Sequence, residues 1–307
     1  MRVLITGHKG FVGTATTNYL THHGDVVFGY DIMEGNDIRD AKRLKEFCTT
    51  MHVDRILHLA AVARFTDADN DPRSAFETNV LGTKNVARVA SELRIPVVYA
   101  STGSVYMPID SDPPIMETDR AVGNSVYGCT KRLGEIYIAS PGNPYIILRY
   151  AHLYGAEKRM HGLIGGFMDR INRGLAPTLY GGKQSNDFTY ILDVARANFV
   201  ALHAPWDAWN QIYNIGTGEE LTAEQAGKMV CTASGYTGEI KKVDMRGVDP
   251  MRFAFSVTKA EKQLGFKAEY NFKKGLKHMF SSLQTGEEDG KVVKAIPSTP
   301  IKRKPRS

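Results

Sequence analysis

The chain has 307 residues, 42% of them hydrophobic and 23% charged, which is the balance of a globular protein with one large domain or two modest ones. It contains no apolar run of about 18 residues, so the sequence predicts no membrane-spanning helix. The amino-terminal apolar run reaches a glycine turn too early for a secretory signal.

The net charge is +6, and residues 285–307 carry six basic and three acidic side chains, or 6 − 3 = +3. We interpret this segment as a basic, flexible tail rather than a nucleic-acid site, because it also contains three prolines. The three cysteines are widely spaced and form neither a metal pattern nor a disulfide framework. This favours a reducing, cytoplasmic location and predicts no metal site.

Strands and helices alternate through the first half of the chain. Short apolar runs predict strands at residues 2–6, 26–31, 54–59, 96–101 and 145–150. Helical spacing predicts helices at 11–23, from Pro72 to about Leu93, and at 125–139. Strands that are apolar throughout are covered on both faces, so we expect an α/β fold with a doubly wound parallel sheet over residues 1–150.

The second half is different because glycines divide residues 151–284 into short elements. Helical patterns remain at 193–204, 222–234, 258–264 and 272–284. We predict a smaller, loop-rich lobe that covers a cleft at the carboxyl ends of the strands, where such folds bind ligands. The stretch at about 187–215 is expected to pack back on the first domain.

A glycine pattern, Gly7-x-x-Gly10-x-x-Gly13, lies directly between the first predicted strand and helix. Glycines are needed there because side chains would keep backbone N–H groups away from a pyrophosphate. The pattern alone is weak, but its position between strand and helix predicts a Rossmann-type dinucleotide site.

Asp31 ends the second predicted strand, 31 − 7 = 24 residues past the first glycine. A carboxylate there can accept hydrogen bonds from the adenosine ribose and would repel a 2′-phosphate, which favours NAD over NADP. Lys9 complicates this prediction, because a cation in the turn could reach a 2′-phosphate. Asp37 and Ile38 are candidates to contact the adenine, although Asp37 could instead cap the next helix.

Tyr127 and Lys131 lie four residues apart and so share one face of a predicted helix. Thr102 follows a strand and could hydrogen-bond the same reacting hydroxyl. A tyrosine has an ordinary pKa of about 10, and an ammonium group together with a positive nicotinamide ring would favour its phenolate. These three residues therefore predict the proton-transfer end of a hydride reaction.

Several ordered motifs together resemble the extended short-chain dehydrogenase/reductase family of NAD-dependent sugar-nucleotide epimerases and dehydratases. The resemblance runs from Arg2 to about Leu283. It depends on the following motifs: Thr6-Gly-His-Lys-Gly-Phe-Val-Gly13, Leu57-His-Leu-Ala-Ala61, Asn79-Val-Leu-Gly-Thr83, Ser101-Thr-Gly-Ser-Val-Tyr106, Tyr127-x-x-x-Lys131, Leu148-Arg-Tyr150, Tyr154-Gly155, Asp187-Phe-x-Tyr-x-x-Asp193 and Tyr213-Asn-Ile-Gly216.

The resemblance implies roles for further residues. It implies that Lys131 also holds the nicotinamide ribose and that helices 75–94 and 126–140 pair across a two-fold axis into a homodimer. It implies that Arg246 binds the diphosphate of the substrate. The remaining implied cofactor contacts are Phe11, Val12, Leu59, Ala60, Ala61, Asn79 and Tyr150.

Two positions depart from the family pattern. His152 stands where the family often has an asparagine, and Asn186 where it often has an arginine before the Asp-Phe pair. Both positions usually face the diphosphate of a nucleotide sugar. These departures indicate either that the substrate is held differently here or that it is not a standard nucleotide sugar. For His152 two interpretations stay open: it donates to a phosphate, or it is a packed side chain.

The family's dehydratases and decarboxylases usually place an acid two positions after the strand-end serine or threonine. Here that position is Ser104, preceded by Gly103, so dehydration is disfavoured and an epimerase is expected. Ser104 is then a candidate substrate contact. Two alternatives stay open: net oxidation or reduction with NAD(P) consumed, and a non-catalytic dinucleotide-sensing protein.

Overall fold

The computed structural model describes residues 1–107, 112–140, 142–156, 162–244 and 252–285. Its centre is a sheet of six strands, all parallel. The strands are β1 (Arg2–Thr6), β2 (Val26–Tyr30), β3 (Arg55–His58), β4 (Val97–Thr102), β5 (Tyr145–Tyr150) and, later in the chain, β10 (Gln211–Ile215). The predicted doubly wound parallel sheet is therefore confirmed.

Helices cover both faces of this sheet. They are α1 (Phe11–His22), α2 (Ala41–Thr50), α3 (Phe65–Asn70), α4 (Pro72–Phe76), α5 (Thr83–Leu93), α6 (Val126–Ile138), α7 (Gly162–Asn172), α8 (Ile191–Leu202), α9 (Ala223–Ser234) and α10 (Phe272–Thr285). One face packs against α1 and α8, and the other against α2, α5 and α6. Since strand residues such as Leu4 and Ile5 are fully buried on opposite faces, each strand needs apolar side chains throughout.

The strand order is β10-β5-β4-β3-β1-β2. β2 lies on one side of β1 and all later strands lie on the other, so the order in which the chain adds strands reverses between β1 and β3. The loops after β1 and β3 leave the sheet side by side at this point. In open α/β sheets, ligands bind in the crevice outside the carboxyl ends of strands at such a switch point. The topology therefore places the glycine turn at the expected crevice.

The helical stretch that we predicted from Pro72 to about Leu93 is present with these bounds, but it is not a regular α-helix throughout. A π-helical segment, Glu77–Gly82, separates α4 from α5. Gly82 lies against Ile38 so closely that a Cβ atom would come within 2.6 Å of its Cδ1 atom. Single π turns are frequent at functional sites, and this one contains the fully buried Asn79.

The second half of the chain adds three small sheets beside the large one. They pair β6 (His152–Tyr154) with β9 (Phe188–Tyr190), β7 (Thr178–Tyr180) with β12 (Lys241–Val243), and β8 (Ser185–Asn186) with β11 (Leu221–Thr222). Helices α7, α9 and α10 pack around them. No described helix is both long enough and apolar enough to cross a membrane. The tail predicted at 285–307 lies almost wholly outside the described residues.

Candidate active site

The glycine turn joins β1 to α1 in a tight backbone arrangement. Gly7 has φ +74°, and a Cβ atom there would lie 2.7 Å from the backbone nitrogen of Ala60. A Cβ atom on Gly13 would come within 2.6 Å of His8 Cα and still nearer to the carbonyl oxygen of Gly7. Gly10 precedes the first turn of α1 without any side-chain cap, so the helix amino terminus keeps N–H groups free for an anion.

Asp31 lies directly beside this turn and is 7% exposed. Its Oδ2 atom accepts a hydrogen bond of 3.0 Å from the backbone nitrogen of Lys9, and its Oδ1 atom accepts one of 2.9 Å from Met33. The Lys9 ammonium does not stand free, because its Nζ atom lies 2.9 Å from Glu34 Oε1. The carboxylate that we expected to receive the ribose is therefore held in place by the turn itself.

The candidate adenine contacts are engaged within the protein. The Asp37 carboxylate accepts hydrogen bonds of 2.7–3.1 Å from the backbone and guanidinium of Arg39. Ile38 is 4% exposed and packs against Gly82. The alternative interpretation of Asp37 as a helix cap is wrong, since Asp40 caps α2 by accepting from Arg43 at 3.0 Å.

Thr102, Tyr127 and Lys131 come together where β4 ends and α6 begins. The Thr102 hydroxyl lies close enough to Tyr127 to lower its pKa. Lys131 is 3% exposed, and its Nζ atom lies 4.2 Å from the centre of the Tyr99 ring. Helix α6 can approach this closely because Gly128 has no side chain: a Cβ atom there would lie 2.7 Å from Ser104 O.

Burial governs the ionisation of this cluster. It raises the pKa of Tyr127 to about 12, and the Thr102 hydroxyl opposes only part of that rise. Burial likewise lowers the pKa of Lys131 to about 7, opposed by the Glu135 carboxylate. We expected the Lys131 ammonium together with a positive nicotinamide ring to favour the Tyr127 phenolate. Among the protein's own groups burial dominates and raises the pKa of Tyr127, so the contribution of the nicotinamide charge stays a prediction.

Comparison with known proteins identifies the family of this chain. Residues 3–216 match the sequence profile of the NAD dependent epimerase/dehydratase family. A putative UDP-glucose 4-epimerase from Methanocaldococcus jannaschii is 32% identical over 306 residues, covering 90% of this chain and 96% of that protein. The chain belongs to the NAD-dependent epimerase/dehydratase family.

Solved structures agree with this assignment. The UDP-glucose 4-epimerase of Thermotoga maritima, solved with UDP-glucose, superposes with a TM-score of 0.85 at 25% identity, covering 93% of this chain and 99% of the other. The Thermus thermophilus UDP-glucose 4-epimerase, solved with NAD, gives 0.83 at 27% identity, covering 92% and 99%. The predicted family, Rossmann-type fold and NAD cofactor of this epimerase/dehydratase-type enzyme are confirmed.

The loop after β3 is fixed from two sides. Its residues Leu59, Ala60 and Ala61 run past Gly7, and Ala60 donates to Thr6 Oγ1 at 3.3 Å. Asn79 binds the next residue, Val62, through hydrogen bonds of 2.8 and 3.0 Å, and also donates to Thr130 on α6 at 3.0 Å. Asn79 thus connects the loop after β3 to helix α6, which carries Tyr127 and Lys131.

Tyr150 lies beside Thr102, since the two residues are paired at the ends of β5 and β4. It is 6% exposed, and its hydroxyl donates to Asn198 Oδ1 at 2.6 Å. Asn198 in turn donates to Thr16 on α1 at 3.0 Å. This chain of hydrogen bonds fixes the Tyr150 ring against the back of the crevice.

The predicted substrate contacts are more scattered. Ser104 is 8% exposed and its Oγ atom accepts a hydrogen bond of 3.2 Å from Thr102, so it does adjoin the Thr102–Tyr127 pair. His152 is exposed and its ring packs edge-on against Phe188 at 5.3 Å. Asn186 is half-buried in the short strand β8. Arg246 lies outside the described residues.

A buried ion pair that was not predicted from the sequence lies directly behind the site. Glu135 is fully buried and accepts from Arg149 through Nε at 2.8 Å and Nη2 at 2.7 Å. It also accepts from Ser101 at 2.6 Å. Glu135 lies four residues after Lys131, so helical spacing carried this signal, but a carboxylate on a helix face ordinarily faces solvent.

A second unpredicted network surrounds His58, which is fully buried at the end of β3. Its Nδ1 atom lies 2.7 Å from Thr6 Oγ1 and its Nε2 atom 2.9 Å from Thr83 Oγ1. Burial, with a smaller contribution from Lys131, lowers the pKa of His58 to about 3. The imidazole is therefore neutral at physiological pH.

This lowered pKa predicts an acid-sensitive stability. The unfolded chain binds a proton near pH 6.5 and the folded chain only near pH 3, so stability is lost as the pH falls through that window. We expect His58 to contribute a slope of about 1.4 kcal/mol per pH unit there, and His58→Asn to remove it. Urea unfolding between pH 4 and pH 7 measures the slope. The exposed His52→Asn is the control, and an equal slope in both variants would contradict the prediction.

Proposed function

We propose that the protein is an epimerase that acts on a nucleotide sugar through transient oxidation to a keto sugar. The observation that carries this proposal is that Thr102, Tyr127 and the buried Lys131 lie together at the crevice that holds the glycine turn. The name of the M. jannaschii relative, a putative UDP-glucose 4-epimerase, supports a UDP-hexose as the first substrate to test.

The residues of the crevice fit NAD. Gly7, Gly10 and Gly13 leave the space that a pyrophosphate needs over the amino terminus of α1. We assign the adenosine ribose to Asp31, the nicotinamide ribose to Lys131, and the lining of the site to Phe11, Val12, Leu59, Ala60, Ala61, Asn79 and Tyr150. When bound, NAD supplies a reversible hydride acceptor and a positive charge that favours the Tyr127 phenolate.

Tyr127 is the proposed proton acceptor. Its phenolate oxygen would take the proton from the sugar hydroxyl that is oxidised, and the phenol so formed would return that proton after the keto sugar has rotated in the site. Thr102 and Ser104 offer hydroxyls beside it that can hold the reacting oxygen. The pKa of Lys131, lowered to about 7, lets this lysine change its charge readily near neutral pH as the charge on Tyr127 changes.

Packing at Gly103 supports epimerisation over dehydration. Dehydration needs an acid to protonate the leaving hydroxyl, and neither Gly103 nor Ser104 is one. The space next to Gly103 is filled by Phe253, since a Cβ atom at Gly103 would lie 2.9 Å from Phe253 Cε2 and nearer still to Cζ. Phe253 is 4% exposed within a cluster that includes Phe255, so it cannot swing away freely.

Incubation with UDP-, GDP-, CDP- and dTDP-hexoses, followed by proton NMR, tests the proposal. The expected result is an isomerised sugar of unchanged mass, without a lasting absorbance change near 340 nm. Absorbance that grows in step with product would show net redox chemistry instead. Loss of water from the sugar would show a dehydratase. Unchanged sugars throughout the panel would favour the alternative of a non-catalytic, dinucleotide-sensing protein.

We also propose a homodimer through the helices predicted at 75–94 and 126–140. Large apolar side chains on these helices are exposed: Phe76 by 44%, Leu81 by 41%, Leu133 by 39% and Ile136 by 51%. Such a patch is typical of a surface that another chain covers. The helices already pack on each other within one chain, so two copies would form a four-helix interface.

Replacing Ile136 with aspartate is expected to give a monomer, because a charge would be buried in the interface. Light scattering after size-exclusion chromatography measures the mass. Leu175→Asp is the matched control, since Leu175 is 46% exposed but lies after α7, away from these helices. A wild-type mass of one chain would contradict the dimer.

A further inference from the structure

The adenosine end of the crevice contains an ion pair that bears on the choice between NAD and NADP. Lys9 belongs to the glycine turn and its backbone nitrogen is bonded to Asp31 at 3.0 Å. Its Nζ atom lies 2.9 Å from Glu34, three residues after Asp31. The ammonium is therefore held beside the carboxylate that is expected to receive the ribose.

The position of Glu34 is fixed by the local fold. Asp31 caps the short 3₁₀ helix Ile32–Glu34 by accepting from Met33 at 2.9 Å, and this turn carries Glu34 back toward Lys9. His8 Nε2 lies 3.5 Å from the other Glu34 oxygen. The His8 ring packs over Gly29, where a Cβ atom would lie 2.5 Å from its Cδ2 atom.

A free lysine at this position would favour a 2′-phosphate, because that group is doubly charged and accepts hydrogen bonds strongly. Glu34 changes this balance. It occupies the ammonium and adds a second carboxylate near Asp31, and its pKa is lowered chiefly because Lys9 donates to it. An incoming phosphate would have to displace Glu34 from Lys9 and approach two carboxylates.

We propose that Glu34 is a positioning residue for cofactor selection: by holding the Lys9 ammonium, it prevents that cation from binding the 2′-phosphate of NADP. The proposal depends on NAD as the cofactor and not on the sugar chemistry. A binding experiment therefore tests it separately from epimerisation.

The experiment titrates the full-length protein with NAD⁺ and NADP⁺ by calorimetry, for wild type and Glu34→Gln. Glu34→Gln is expected to tighten NADP⁺ binding by about 3- to 10-fold, with the Kd for NAD⁺ changed by less than about twofold. The gain is modest because Asp31 remains. It should shrink as salt rises from 50 to 500 mM, since the pair is solvent-exposed.

Two further variants make the test specific. In a Lys9→Met background, Glu34→Gln should give no gain for NADP⁺, because no ammonium is left to release. Glu92→Gln is the matched control: the Lys45–Glu92 pair has a similar distance, 2.8 Å, and similar exposures, 49% and 42%, to the 51% and 42% of Lys9–Glu34. It should leave both Kd values unchanged.

The proposal is overturned by either of two results. One is an unchanged NADP⁺ affinity in Glu34→Gln with an unchanged melting temperature. The other is an equal gain in the Lys9→Met background, which would show that Glu34 repels the phosphate directly instead of acting through Lys9.

Discussion

Replacing Tyr127 with phenylalanine is expected to lower kcat by about 10²- to 10⁴-fold, because the change removes the proposed proton acceptor and leaves the ring. NAD should stay bound, since none of the glycine-turn contacts involves the Tyr127 hydroxyl. Turnover of the sugar found active by NMR measures the loss, and bound NAD is released by heat and quantified.

Tyr137→Phe is the matched control for this prediction. Tyr137 lies on the same helix α6, ten residues further on, and its ring faces Lys84 Nζ at 6.0 Å instead of Thr102. It should retain wild-type turnover. Full activity of Tyr127→Phe would remove the basis of the proposed mechanism, and equal losses in both variants would indicate damage to the helix instead.

Replacing Glu135 with glutamine is expected to destabilise the protein by about 3–5 kcal/mol, since it leaves the buried Arg149 cation without its carboxylate partner. Arg149 is 2% exposed and would keep its bond of 2.8 Å to the Tyr106 hydroxyl and one bond to the glutamine amide oxygen, while its other donor would face the amide nitrogen. The free energy of unfolding in urea measures the loss. The pKa of Lys131 should fall further, because Glu135 is the group that raises it.

The double variant Glu135→Met with Arg149→Met distinguishes the charge from the packing. Removing both charges avoids an unpaired buried ion, so the double variant is expected to be more stable than Glu135→Gln. Glu92→Gln, at an exposed ion pair, should change stability little. A double variant as unstable as Glu135→Gln would show that the pair matters for its shape and hydrogen bonds instead of its charge.

The parts of the fold that follow local rules were predictable from the sequence. β1 and α1 fall within a residue of their predicted bounds, because an apolar run and a glycine turn act over short distances. The proposed site residues Thr102, Tyr127 and Lys131 do lie together, as the strand end and the i, i+4 spacing predicted.

Long-range contacts account for what the sequence could not reveal. Glutamate and arginine ordinarily lie at the surface, and only the packing of α6 and β5 buries Glu135 and Arg149. Asp37 was assigned to adenine or to a helix cap, whereas Arg39, two residues away, occupies its carboxylate. The burial that raises the pKa of Tyr127 could not be predicted either, since burial depends on the whole fold.

The π turn at Glu77–Gly82 lets this stretch contain one residue more without rotating one end against the other. In a regular α-helix, an added residue would rotate everything after it by about 100°. A π turn holds one residue more than an α turn, so α4 and α5 keep their relative orientation and Thr83 still reaches His58. Deleting a single residue between 77 and 82 would restore a regular helix with its two ends in phase. Its effect would therefore fall on the turn itself, where Asn79 binds the loop after β3.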